Sequence, residues 1–158
     1  MSKFIFLDVD GVLNSITFDK YCKDNGLHDW WDYGLLDQKC IMWLKQLVYY
    51  TGANIVVCSS WRVSAHHMNR LAQQLGLYGL NIYGVTNTDT SMNRGQQIME
   101  WVYNHEDCDN FVVFDDDNDD HDYPPEAEVT AHLVVPLRRE GLREVDIEEG
   151  YKILMGQG

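Results

Sequence analysis

The sequence predicts an α/β protein built on a Rossmann-like, doubly wound parallel sheet of about five strands. Two observations carry this. Short, near-continuous apolar runs alternate with longer stretches of helical period, the pattern of strand–helix–strand units. Three of the apolar runs also end abruptly in polar clusters: Asp8-Val9-Asp10-Gly11, Ser59-Ser60-Trp61-Arg62 and Asp115-Asp116. Parallel strands covered on both faces read as continuous apolar runs, and their carboxyl ends open on the crevice where α/β proteins bind ligands.

The first strand spans Lys3 to Asp8. Residues 15–34 lack clear periodicity but contain Phe18, Tyr21, Trp30, Trp31 and Tyr33, and are expected to form a flap or miniature cap. Leu35 to Tyr50 is a helix, with Leu36, Cys40, Leu44, Leu47 and Val48 on one face and Gly52 as its stop. Asn54 to Cys58 is a β-branched strand. Ala65 to Leu75 is a helix that turns Met68, Leu71 and Leu75 inward, with Gly76 at its end. A short strand, Ile82 to Val85, leads through the polar loop 86–93 into a helix from Arg94 to Asn104. Phe111 to Phe114 and Leu133 to Val135 are the last strands, and Glu144 to Met155 is a closing helix. There is no internal repeat and no linker, so 1–158 is expected to be one domain.

The hydrophobic fraction of 45% belongs to a folded chain. No apolar run approaches the roughly 20 residues of a membrane span, and no signal peptide is evident at Met1-Ser2-Lys3. The four cysteines are scattered without a CxxC pair, as expected of reduced thiols in a cytoplasmic protein. A net charge of −13 opposes any extended grip on a nucleic-acid backbone, which requires clustered Lys and Arg.

The three polar strand ends would bring at least four carboxylates, two hydroxyls and an arginine into one pocket. Carboxylates packed together repel one another, and a hard cation such as Mg²⁺ relieves the repulsion. The run from Asp115 to Asp122 also imitates a calcium loop, but Asp120 stands where such a loop needs glycine, and a strand precedes it. Asp117 and Asp122 are expected to be solvated loop residues. Trp61 is expected to pack behind the site. His66 and His67 lack a third ligand for zinc.

The segment Asp8-Val9-Asp10-Gly11-Val12-Leu13 resembles the first motif of the haloacid dehalogenase-like (HAD) phosphatases. The resemblance implies that Asp8 is the nucleophile, forming an aspartyl-phosphate, and that Asp10 is the general acid/base. It places Ser59 or Ser60 on the phosphoryl group and Arg94, opening a helix, beside the nucleophile. It implies that Asp115 and Asp116 complete the Mg²⁺ site with Asp8 and Asp10, the last through its backbone carbonyl, with Asp116 favoured as the direct ligand and Asp119 or Asp120 as an outer partner. Arg62 follows closely enough to form a bidentate pair with phosphate oxygens. All four motifs occur in order between Phe4 and about Val135.

Ser-Ser-Trp-Arg, Arg-Gly-x-x-Ile-x-x-Trp and the Asp-Asp-Asp-x-Asp run resemble more narrowly the small HAD domains of RNA-repair proteins, relatives of polynucleotide kinase-phosphatase phosphatase domains. This implies a Mg²⁺-dependent phosphomonoesterase acting on a nucleotide or the terminal phosphate of a nucleic acid. Sugar phosphates, phosphoproteins and a catalytically silent binding module are the competing expectations. The choice between 3′ and 5′ phosphates and the oligomeric state stay open.

Overall fold

A computed structural model describes residues 1–27 and 34–157. Five strands, β1 (Ser2–Leu7), β2 (Asn54–Val57), β3 (Ile82–Val85), β4 (Cys108–Phe114) and β5 (Leu133–Val134), form one sheet in the order β3-β2-β1-β4-β5. All four pairings are parallel. The helices are α1 (Ile16–Asp24), α2 (Gln38–Thr51), α3 (Ala65–Gly76), α4 (Arg94–Asn104) and α5 (Glu144–Leu154). None of the helices among the described residues is long and apolar enough to cross a membrane.

The two-residue period of the strands sends alternate side chains into two cores. Ile5, Leu7, Ile55, Val57, Val112 and Phe114 face one way and pack with α2, α3 and α5. Phe4, Phe6, Val56, Phe111 and Val113 face the other way, against Ile98 of α4 and Val129. β1 is central and wholly buried from Phe4 onward, which is why residues 4–7 are all apolar up to Asp8.

Three differences from the sequence reading go beyond one residue. β4 begins at Cys108 because polar residues 108–110 still pair with the start of β1. α2 begins at Gln38, where the side chain of Asp37 caps Lys39 N–H. The aperiodic segment after Asn14 contains a helix, α1, capped by Ser15 at Phe18 N–H. Only Cys22 of α1 is buried, so its sequence shows no apolar stripe. Trp30, Trp31 and Tyr33 lie outside the described residues.

Candidate active site

The register of the sheet assembles the site. Leu7 lies opposite both Val57 and Phe114, so the residues after β1, β2 and β4 emerge side by side. Asp8 N–H donates to Phe114 O at 3.0 Å, and Asp115 N–H donates to Val134 O at 3.2 Å, fixing both acids at the carboxyl edge. Between Asp8 and α1 the chain turns sharply, with Leu13 N–H donating to Val9 O at 2.8 Å. Gly11 sits in this turn at φ +80, and a Cβ there would collide with the side chain of Asp116. Backbone conformation and space both select glycine.

Asp8, Asp115 and Asp116 offer carboxylate oxygens that all lie within 4.8 Å of one another. Asp8 and Asp115 are buried. Asp115 accepts from Tyr123 Oη at 2.6 Å, from Arg94 Nη1 at 2.8 Å and from Asp117 N–H at 3.0 Å. Arg94 Nη1 also lies 3.5 Å from Asp8. Asp116 is paired with Arg138 Nε at 2.5 Å. Oxygen donors this close fit a hard divalent cation such as Mg²⁺, and the missing Cβ of Gly11 leaves Asp116 the room to take part.

Burial, reinforced by the neighbouring Asp115 charge, pushes the carboxyl of Asp8 well above its ordinary range, and Arg94 opposes this only in part. Burial works against the Arg94 cation, but the surrounding Asp8 and Asp115 outweigh it and hold the guanidinium protonated. Burial likewise keeps the Tyr123 phenol protonated, which suits its role as a donor to Asp115.

Asp10 lines the same cavity, of about 360 Å³, but its side chain stands apart from the three grouped carboxylates. Asn14 Nδ2 donates to Asp10 Oδ1 at 2.9 Å, and Trp61 Nε1 donates to Oδ2 at 3.2 Å. The same Asn14 accepts from Gly11 N–H, tying the turn to the acid. Trp61 is buried, as a packing residue would be, and also orients Asp10.

The two serines separate. Ser60 lines the cavity, whereas Ser59 is buried and accepts from Trp61 N–H at the start of a 3₁₀ turn. Arg62 departs from the sequence expectation. Its five N–H groups donate to the carbonyls of Cys58, Ser59, Thr86 and Asn87 and to Gln97 Oε1. The 3₁₀ turn points it along the loop after β3, where it ties β2, that loop and α4 together, so it is no phosphate clamp. Asp119 also differs: it accepts from Asp122 N–H, and Asp122 in turn accepts from Arg94 N–H, so both shape the loop.

Sequence reasoning missed Asn14, Tyr123 and Arg138. For Asn14 a signal existed, a polar residue after the apolar pair Val12-Leu13. Tyr123 and Arg138 lie in loops without periodicity. A second cavity, of about 680 Å³, adjoins the first through Ser15 and is lined by Phe18, Tyr21 and Trp43. The Phe18 and Tyr21 rings stack there with centroids 6.4 Å apart.

A parallel sheet in the order β3-β2-β1-β4-β5, with Asp-x-Asp ending its central strand, defines an α/β domain of the HAD type. Residues 4–147 match the HAD domain in Swiss Army Knife RNA repair proteins, and the chain belongs to that family. No curated protein and no solved structure matches the chain.

Proposed function

We propose that this protein is a Mg²⁺-dependent phosphomonoesterase acting through an aspartyl-phosphate on Asp8. One observation carries the reading: Asp8 belongs to the group of three close carboxylates, while Asp10, two residues on, lines the same cavity outside that group. One acid is therefore placed to attack and the other to move protons.

Asp8, Asp115 and Asp116 would hold the metal, joined by the backbone carbonyl of Asp10. Bound Mg²⁺ would supply charge neutralisation between two anions, the carboxylate and the phosphate. A carboxylate oxygen of Asp8 attacks phosphorus as the bond to the leaving oxygen breaks. The carboxyl of Asp10, aimed by Asn14 and Trp61, gives its proton to that leaving oxygen. Asp10 then takes a proton from water, whose oxygen attacks the phosphorus and returns Asp8 and inorganic phosphate. Ser60 lines the place where the phosphoryl group would sit, and Arg94 counters negative charge beside the nucleophile.

The substrate we propose is a nucleotide or the terminal phosphate of a nucleic acid. The family's description as RNA-repair domains supports this, and so does the aromatic cavity beside Ser15, whose rings offer a stacking surface to a base. The charge of −13 supports contact limited to the terminal nucleotide. A panel of nucleotides, 3′- and 5′-phosphorylated oligonucleotides and sugar phosphates, assayed with and without Mg²⁺, tests the reading. Mg²⁺-dependent release, fastest from a nucleotide or oligonucleotide, is expected. Silence across the panel would overturn the enzyme, and preference for sugar phosphates would overturn the substrate.

A further inference from the structure

We infer that Arg138 is a phosphate-binding residue of this site, held on Asp116 until a cation occupies the three carboxylates and then released to the phosphoryl group. The inference rests on the phosphatase reading. It starts from a shortage of positive charge. Asp8, Asp10, Asp19, Asp115, Asp116 and Asp117 all line the cavity, and the basic residues lining it, among those described, are Arg94 and Arg138. Arg62 is spent on carbonyls. Arg94 is engaged by Asp8 and Asp115 with its side chain only 22% exposed, so it has little freedom to turn to a ligand.

Arg138 combines a fixed backbone with an exposed side chain. Its carbonyl accepts from Ile16 N–H at the start of α1, and the turn that carries it closes through Gly141 N–H to Leu137 O at 2.8 Å. Leu142 N–H then donates to Val12 O, and a Cβ on Gly141 would meet both that oxygen and Cys40 Sγ, so the turn is seated tightly on the loop that bears Asp10. The side chain, in contrast, is 62% exposed, and among the described residues it pairs with Asp116.

Asp116 is shared by two claims. The same carboxylate that binds Arg138 belongs to the group suited to a divalent cation. When that charge is neutralised, the guanidinium loses its attraction and faces a like charge. A bound phosphoryl group then offers the guanidinium a new anionic partner, in competition with the Asp117 charge that also acts on it. The planar fork of an arginine suits two of its oxygens, which a lysine at the same place would not reproduce.

Two binding measurements that need no turnover test this. Titration calorimetry with Mg²⁺ alone, then with inorganic phosphate at saturating Mg²⁺, is run on the wild type, Arg138→Ala and Arg138→Lys. Arg138→Ala is expected to bind Mg²⁺ at least as tightly as wild type and phosphate about tenfold or more weakly, with Arg138→Lys between them. Unchanged phosphate affinity in Arg138→Ala, weakened Mg²⁺ binding in it, or no phosphate binding by the Mg²⁺-loaded wild type would each overturn the inference. A wild type that binds phosphate through Arg138 but hydrolyses no ester would instead overturn the proposed enzyme and leave this binding role standing.

Discussion

The indole N–H of Trp61 donates to Asp10 Oδ2 across 3.2 Å, joining the turn after β2 to the turn after β1. Asn14 holds the other oxygen, so the carboxyl plane of Asp10 is fixed from two sides. Trp61→Phe keeps most of the buried ring and removes this one donor. A single hydrogen bond contributes about 0.5–1.5 kcal/mol, so turnover is expected to fall by about two- to tenfold, with Mg²⁺ affinity unchanged. Steady-state kinetics with a saturating phosphate ester, alongside Mg²⁺ calorimetry, check both halves.

Asp8 is the group whose burial opposes its own charge. Because burial and Asp115 raise its pKa above the ordinary carboxylate range, the native metal-free protein holds this proton more tightly than the unfolded chain does. The resulting stability is intact below the unfolded value and is lost as pH rises through the folded one. Asp8→Asn removes that loss. In chelator the variant is expected to melt above wild type at about pH 7, with the gap closing toward about pH 4. Added Mg²⁺ reverses the order, because only wild type keeps all three carboxylates. A variant that melts below wild type in chelator at neutral pH would contradict this.

Gly11→Ala strains the turn at φ +80 and drives a methyl group into Asp116. The expected cost is about 1–3 kcal/mol of stability, and the larger effect falls on the metal site. Thermal melts should show the stability loss, and calorimetry should show Mg²⁺ binding weakened more than in Trp61→Phe.

Tyr21 and Trp43 line the cavity that adjoins the phosphate site through Ser15. If a base stacks there, Tyr21→Ala and Trp43→Ala raise KM for the preferred nucleotide or oligonucleotide, by the roughly 1–3 kcal/mol of a stacked base. KM for a small phosphate ester without a base stays unchanged. Tyr21 is exposed and Trp43 half-buried, so the Tyr21 variant carries the test with the smaller risk to folding.

The strands and the acids that end them were legible because burial on both faces of β1 and β4 leaves apolar runs whose first polar residues mark the sheet edge. Direction of side chains was not. Arg62 sits in the right sequence position for a phosphate clamp, yet the 3₁₀ turn from Ser60 to Val63 sends its guanidinium to backbone carbonyls. Nor does local pattern reveal partners brought together by loops: Arg138 reaches Asp116 because a tight turn docks on Val12, a contact with no periodic trace. Helix α1 was hidden for a related reason, since Ile16 and Tyr21 remain exposed and only Cys22 is buried.

The most direct measurement is acid quench of the Mg²⁺-loaded protein mixed with a phosphorylated nucleotide, followed by peptide mass mapping. Asp10→Asn is the form to quench, because loss of the base that activates water should let the intermediate build up. One phosphoryl group on the peptide carrying Asp8, absent when Asp8→Asn is added to the same variant, is the predicted result. Phosphate release by a protein bearing Asp8→Asn, or release by wild type with no adduct on Asp8 in the slowed variant, would contradict it.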